Sequence, residues 1–519
     1  MNLELLLKAG YFPRELPHPF NSINFSTVVT STGVSLPDEF NVNRNTSIPA
    51  NHNLARAGAL RRKLEIPNPV NFYRLSNFIH QNKIDLFSYA QRSPFSLTKP
   101  GSELTPRAIN PIYTLSRKPF ERAKIRASSR FVLKADISRF YGSIYSHSIP
   151  WAIHTKSVAK TNRSLTLIGN SFDMFVRNSQ DGQTIGIPIG PDTSLLIAEI
   201  ILGAVDQKIG KMFDVKAFRT IDDYEFGFKS YAEAENCLGL LQEELNHYEL
   251  SLNPRKTKIL KLPDRIEPLW NSELRAFTFR NSKKGQESDL LRYFDFAFEM
   301  ATKEPDENIM KYAISRLNGV EILEDNWTLY QYLLSQCCLI EPGSLKFVIE
   351  QLARYESSFS IEKPIFEECF NGLIRFHAPL GHGSEVAWST WGAILCEVPL
   401  HTETVDSISV MEDPVVALLA LDAQRKGFSP PGYTFDHFST HMTKDDLYNN
   451  HWLLAYEANV KGWLPSATAI DNVDSDPCFK FLKDNGVSFY DDTLKIDCAI
   501  VRPITRRSPF GGGGGGGIY

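Results

Sequence analysis

Three aspartates carry the chemistry this sequence suggests: Asp136, Asp222 and Asp223. Asp136 closes the run "FVLKAD", and Asp222 and Asp223 lie inside "KAFRTIDDYEFGFK". Carboxylate oxygens, completed by water and phosphate, are the donors that Mg²⁺ prefers. Two such ions about 4 Å apart can activate an attacking hydroxyl and stabilise a leaving pyrophosphate. An isolated acidic pair carries little weight, because most are surface residues. Tyr490, Asp491 and Asp492 read as such a pair in a turn, with no strand ending in an acid to partner them.

The flanking elements set the first three apart. Phe131 to Leu133 reads as a short strand running into Asp136. Tyr224, Phe226 and Phe228 alternate with Glu225 and Gly227, the period of a half-buried strand, so the two aspartates fall at a hairpin tip. Neighbouring strands lie about 4.8 Å apart, close enough for a strand end and a hairpin tip to share a site. "GIPIGPDTSLLIAEIILGAVDQKIGKMF" reads as a Gly/Pro loop and then a helix, with Asp192 or Thr193 as its N-cap. "SYAEAENCLGLLQEELNHYEL" is a further helix, and "LSLNPRKTKILKL" returns as a strand.

Composition bounds the rest. The 519 residues, 42% apolar and 22% charged, are globular material for several domains. A net charge of −4 gives no global basic signal, so a nucleic-acid surface must be local. From Arg107 to Lys134 there are eight Lys or Arg against one acid, Glu121. Earlier, Arg56, Arg61, Arg62, Lys63 and Arg74 are set among apolar and aromatic residues. Seven scattered cysteines without a CxxC suggest neither a zinc site nor a disulfide framework, and a reduced cytoplasm fits them. No apolar run is long enough to span a membrane, and the first residues do not read as a signal peptide.

The first hundred residues are rich in proline, and "GYFPRELPHPF" reads as extended and turn-forming. From about 285 to 460 helical patterns follow one another, as in stacked helix pairs; after 460 the helical signal fades into loop and tail. Trp327, Trp388, Trp391 and Trp452 read as helical core rather than base-stacking platforms. His147 and His154 lack metal-ligand spacing and read as packing or hydrogen-bonded residues.

"ADISRFYGSI", "GIPIGPDTS", "RTIDDYEF" and "SLNPRKTK" resemble, in order, motifs A, B, C and D of the reverse transcriptase palm, over roughly residues 50–265. "GYFPRELPHPF" and "LRRKLEIPNPVNFYRL" are similar to openings of bacterial abortive-infection and defence-associated reverse transcriptases, the unknown-group, Abi-like family. The resemblance implies an α+β right-hand polymerase, fingers and palm, followed by an all-α helical-repeat domain. Its division of the chain is an N-terminal extension and start of fingers at 1–100, fingers and palm at 101–265, and a thumb-like connection at 266–300. A helical-repeat domain at 301–460 and a C-terminal segment with a Gly-rich tail at 461–519 complete it.

The resemblance also implies roles. Asp136, Asp222 and Asp223 become catalytic residues and ligands to two Mg²⁺ ions, with Mn²⁺ as an alternative. Tyr141 falls at the steric gate that excludes a ribose 2′-OH, Pro188 and Gly190 in the loop lining nucleotide and template, and Lys256 at the lysine that protonates pyrophosphate. Lys124, Arg126 and Arg130 fall where fingers residues hold triphosphate and template. Thr220 and Ile189 depart from the usual tyrosine and glutamine, which puts template use and processivity in question but leaves the acids intact. The implied activity is RNA-directed DNA synthesis from dNTPs in antiphage defence, with an RNA template or structural RNA, a DNA product and a homo-oligomer as partners and no membrane. Untemplated DNA synthesis by the same site and an inactive RNA-binding scaffold are the alternatives.

The chain ends "FGGGGGGGIY". Some members of the family prime on protein, and Tyr519 offers a hydroxyl on a flexible lead reaching at most about 30 Å from Gly511. Tyr519 is thus a candidate priming residue, with Arg506 and Arg507 beside the tail as docking charges; a disordered low-complexity end is the simpler reading.

Overall fold

Among the described residues, six strands form two sheets. The computed structural model describes residues 2–42, 46–56, 58, 60–101, 107–213, 216–494 and 496. Strands β1 (Ala50–Ala55) and β2 (Arg61–Ile66) pair as an antiparallel hairpin. Strands β3 (Phe131–Asp136), β4 (Lys216–Thr220), β5 (Asp223–Phe228) and β6 (Lys258–Lys261) form an antiparallel sheet of order β4-β5-β3-β6.

The alternation in β5 sets which way the larger sheet faces. Tyr224, Phe226 and Phe228 are buried and form a ladder of stacked rings, with centroids 5.6 and 6.4 Å apart. They share a core with Leu133, Ala135 and the apolar face of the helix Asp192–Met212. Glu225, between the rings, takes Arg122 from the helix Lys118–Arg126 on the other face. That helix runs along β5, with Lys118 near the Asp223 end and Arg126 near the start of β3.

The helix after the Gly/Pro loop begins at Asp192, with Pro191 as its N-cap and no side-chain cap bond. Capping by Asp192 or Thr193 is therefore corrected. The Asp192 carboxylate instead accepts the backbone N–H groups of Ala108 and Ile109, both at 3.0 Å, and pairs with Arg107. It anchors the incoming segment, a use that propensity does not reveal.

From Lys283 onward helices follow closely, and many pack on the next-but-one helix in sequence, as Gly383–Cys396 does on Pro414–Arg425. They share one core with the N-terminal segment: Tyr11, Phe20, Phe25 and Phe72 belong to the same cluster as Trp391, Leu418 and Trp452. Trp388 Nε1 donates to the Glu15 carbonyl at 2.9 Å, and Trp452 Nε1 to the Ile66 carbonyl at 3.0 Å. All four tryptophans are buried.

The stretch after 460 holds a helix where loop was expected, Pro477–Asp484. Asp476 caps it by accepting from the N–H groups of Cys478 and Phe479, and Pro477 stands at its first position, a start signal beside a short apolar face. Tyr490 is not a turn residue: it bridges to Phe20, is buried, and donates its hydroxyl to Asp422 at 2.7 Å. Asp492 pairs with Lys461.

Candidate active site

The site is built by strand register. β3 and β5 pair so that Asp136 stands directly opposite Asp223, and the β4–β5 loop is the two residues Ile221 and Asp222. Directly opposed residues in an antiparallel pair have Cα atoms about 4.5–5.5 Å apart. Asp222 is tied to the end of β3 by its carbonyl, which accepts the Ile137 N–H at 3.3 Å. Three carboxylates therefore meet at one end of the sheet.

Their charges are only partly compensated. Lys256 Nζ donates to Asp136 Oδ2 at 3.1 Å, and Asn253 Nδ2 to Asp136 Oδ1 at 3.2 Å. Lys118 Nζ donates to Asp223 Oδ2 at 3.1 Å. The Asp222 carboxyl is pushed up to about 6 by burial first, then by Asp223 and Asp136, with Lys256 pulling the other way. A carboxylate among carboxylates that resists ionisation is a place where an added cation is favoured.

The turn itself is strained and braced. Ile221 has φ 55°, a left-handed conformation that β-branched residues rarely adopt. Its N–H donates to Thr98 Oγ1 at 2.9 Å, and its carbonyl accepts from Arg219 Nη1 at 2.7 Å. Arg219 is fully buried between two fully buried acids of the helix Asp192–Met212, Glu199 (2.9 Å) and Asp206 (2.8 Å). Ser96 and Thr98 donate to Glu199, and the Tyr224 hydroxyl to Asp206. One guanidinium is shared by two carboxylates, each of which also accepts hydroxyl hydrogen bonds, the kind of hydrogen bonding a buried ionic network requires.

Around the acids stand further groups. Burial first, and then the Asp222 charge, raise the pKa of the Tyr141 hydroxyl. The backbone carbonyl of Tyr141 accepts from the Ile187 N–H at 2.9 Å, so the 186–190 loop backs it. Gly190 sits at φ 137° against Pro13, and a Cβ there would lie 2.5 Å from Pro13 Cγ. The loop is also joined to β2, since the Ile189 carbonyl accepts the Glu65 N–H at 3.0 Å. Pro188 is buried within it. The pKa of Arg56, just after β1, is lowered by burial and by Arg62 and pulled back by Asp222 and Asp136, so its guanidinium feels the charge of the acids.

Three expected residues are elsewhere. Arg126 is buried, bonded to the Asp264 and Arg265 carbonyls. Arg130 and Arg126 line a cavity of about 740 Å³ with Phe131 and Lys261. Phe131 begins β3, about 16 Å along the strand from Asp136. Lys124 lies by Lys216 and Ala217, at the far end of β4, and pairs with Glu121. The helix direction brings Lys118, rather than Lys124, Arg126 or Arg130, to the carboxylates. His147 pairs with Asp173, and His154 accepts the Gly169 N–H. Arg506, Arg507 and Tyr519 lie outside the described residues.

Sequence reasoning missed Lys118, Asn253, Arg219 and Thr98. Only Asn253 carried a usable signal, three residues before Lys256 in the same turn.

Residues 66–287 match the family model for reverse transcriptase (RNA-dependent DNA polymerase). That stretch contains β3 to β6 and all three aspartates, and the match indicates RNA-directed DNA polymerase activity, a nucleotidyl transfer. A structural comparison finds similarity to a telomerase from Candida albicans in complex with a TWJ fragment of telomeric RNA. It has 9% identity and a TM-score of 0.29, and covers 74% of this chain and 68% of that one. No curated protein matches the chain. No described helix is long and apolar enough to cross a membrane.

Proposed function

We propose that this chain is a template-directed DNA polymerase of the reverse transcriptase type whose divalent cations are held by Asp136, Asp222 and Asp223. One observation carries this reading: the strand register that sets Asp136 opposite Asp223 with Asp222 in the adjoining turn. An all-oxygen donor set with an under-compensated carboxylate fits Mg²⁺, with Mn²⁺ as a substitute. When bound, two such ions supply an activated primer hydroxyl and neutralise charge on the departing pyrophosphate.

The chain's own residues do the rest. Lys256 holds an ammonium beside Asp136 and is the group placed to give a proton to pyrophosphate. The Tyr141 ring, backed by the 186–190 loop, fills the space a ribose 2′-OH needs and selects dNTPs. Lys118, Arg56 and Arg62 supply positive charge for triphosphate and strand phosphates. The helices from Lys283 on, which share a core with the N-terminal segment, serve as the scaffold for RNA or for a second copy of the chain.

Untemplated synthesis is the second reading. Thr220, buried and paired with Asp223, offers no ring to a primer end. Incubating the full chain and its co-purifying RNA with labelled dNTPs, then sequencing the product, decides between them. A product complementary to one RNA supports templated synthesis; one without a complement overturns it in favour of the second reading. The resemblance of the N-terminal segments supports a place in antiphage defence. Phage plating on cells carrying the wild type or Asp222→Asn tests this, and equal plaque counts would contradict it.

A further inference from the structure

Close to the turn that carries Asp222, three large apolar side chains stand in solvent. Tyr113, Leu115 and Phe120 are 43, 48 and 55% exposed. One exposed apolar residue needs no explanation, but a group of them around a cation marks an interaction surface.

Backbone pairing places the group. The Arg219 N–H donates to the Phe95 carbonyl at 3.0 Å, and the Leu97 N–H to the Arg219 carbonyl at 2.8 Å, so residues 95–97 run beside β4. The next rung outward is Tyr113, whose N–H donates to the Leu97 carbonyl at 3.3 Å. At about 4.8 Å per spacing, the Tyr113 backbone lies about 10 Å from Arg219, on the strand that leads to Asp222. The chain then turns, with the Arg117 N–H donating to the Thr114 carbonyl at 3.0 Å, and enters the helix Lys118–Arg126. The first residue of that helix reaches the carboxylate site, Lys118 Nζ lying 3.1 Å from Asp223 Oδ2. Phe120 follows in the same turn.

Arg117 joins the two rings. Its guanidinium carbon lies 3.8 Å from the Phe120 ring centroid and 5.4 Å from that of Tyr113. Arg117 Nε donates to Glu121 at 2.9 Å, which orients the guanidinium, and Lys124 takes the other oxygen of Glu121 at 3.4 Å. The one acid of this helix is thus shared by two cations.

An exposed cation–π pair adds little to stability, so folding alone does not account for the group. Single-stranded nucleic acid calls for this combination, with π faces for unpaired bases and cations for phosphates. A duplex keeps its base faces stacked on one another and offers none. We propose that Tyr113 and Phe120 stack unpaired bases of the nucleic-acid strand running past the carboxylate site, with Arg117 fixing the Phe120 ring and adding positive charge. This deepens the polymerase reading and rests on it for the strand's use: the rings hold the strand, and the acids serve the transfer. A ring meets the face of a base and not its sugar, so RNA and DNA strands both fit.

The test is fluorescence anisotropy of labelled oligoadenylate, in ribo and deoxyribo forms, with the full chain freed of co-purifying RNA at high salt. Binding is read in chelator and without dNTP, for wild type, Tyr113→Leu/Phe120→Leu and Phe120→Trp. Both rings are exposed, so leucine spares the fold, and melting temperatures check this. The double variant should bind at least about tenfold more weakly, and Phe120→Trp as tightly as wild type or more so. A single abasic nucleotide moved along the strand should weaken wild type at particular positions and have no effect there in the double variant, a coupling that a merely structural role does not give. A loss with only one of the two forms bears the proposal out and names the strand. Unchanged affinity of the folded double variant for both forms, or equal abasic losses in wild type and double variant, would overturn it. A wild type that binds through the rings but incorporates no dNTP in Mg²⁺ would instead overturn the polymerase reading and leave the rings' role standing.

Discussion

The Arg219 guanidinium donates to the Ile221 carbonyl at 2.7 Å, and so a fully buried charge holds the strained residue that precedes Asp222. Replacing Arg219 would leave Glu199 and Asp206 buried without their partner, a loss of about 3–5 kcal/mol. Thr98→Val is the milder probe, since it removes one bond to Ile221 and one to Glu199. It should cost about 1–3 kcal/mol. Because the bond positions the turn, kcat should fall about tenfold or more with KM for dNTP little changed. Steady-state kinetics check this; a lower melting temperature with unchanged kcat would show a bond that only stabilises.

Asp222 should oppose folding when no cation is present. Its folded-state value near 6 lies above the ordinary 3.8, so the folded protein keeps a proton that the unfolded chain releases between those values. The stability contributed by that proton is present below about pH 4 and is lost as pH rises through about 6. Metal-free Asp222→Asn should therefore melt higher than wild type at pH 8 and alike near pH 4. Mg²⁺ should raise the wild-type melting temperature at pH 8, much less at pH 5, and little in Asp222→Asn. Calorimetry across that range checks all of these.

Lys256 occupies Asp136 in the manner of a cation, at 3.1 Å. Lys256→Ala should leave Mn²⁺ binding intact or tighter while slowing turnover by about 10²-fold, the lower range for a lost general acid. Titration calorimetry with Mn²⁺ and single-turnover rates separate the two effects.

Lys118 reaches Asp223, and Arg130 lies at the other end of the sheet. Lys118→Ala should raise KM for dNTP about tenfold, as the loss of one charge-assisted contact. Arg130→Ala should leave it within a factor of two or so. A larger effect at Arg130 would restore the fingers-like reading of the basic run.

Tyr141→Ala should open the space beside Asp222 to a 2′-OH. The ratio of rNTP to dNTP incorporation should rise at least about tenfold, measured by competition with all other conditions fixed. Ribonucleotide use by the wild type equal to its dNTP use would remove the gate.

The acids were legible because their neighbours repeat with strand period. Tyr224, Phe226 and Phe228 alternate, which set both aspartates at a hairpin tip; the structure keeps Asp222 in the turn and makes Asp223 the first paired residue of β5. What lies between elements was not legible. Eight basic residues from Arg107 to Lys134 look alike in sequence; only the course of the helix Lys118–Arg126 along β5 distinguishes Lys118 from Lys124 and Arg126. Glu199 reads as a charge interrupting an apolar helix, and its role appears only when Arg219 arrives from β4, twenty residues on. The union of the N-terminal segment with the late helices was hidden for the same reason, since contacts such as Trp452 to Ile66 span nearly four hundred residues of chain.

Incorporation of labelled dNTPs in Mg²⁺ by wild type, Asp136→Asn, Asp222→Asn and Asp492→Asn, each checked for folding by melting temperature, tests the central claim most directly. Asp492 is an acid of similar local sequence that pairs with Lys461 away from the sheet. Wild type and Asp492→Asn should synthesise DNA alike, and Asp136→Asn and Asp222→Asn should fall by about 10³-fold or more. Synthesis at the wild-type rate by folded Asp222→Asn would contradict the account.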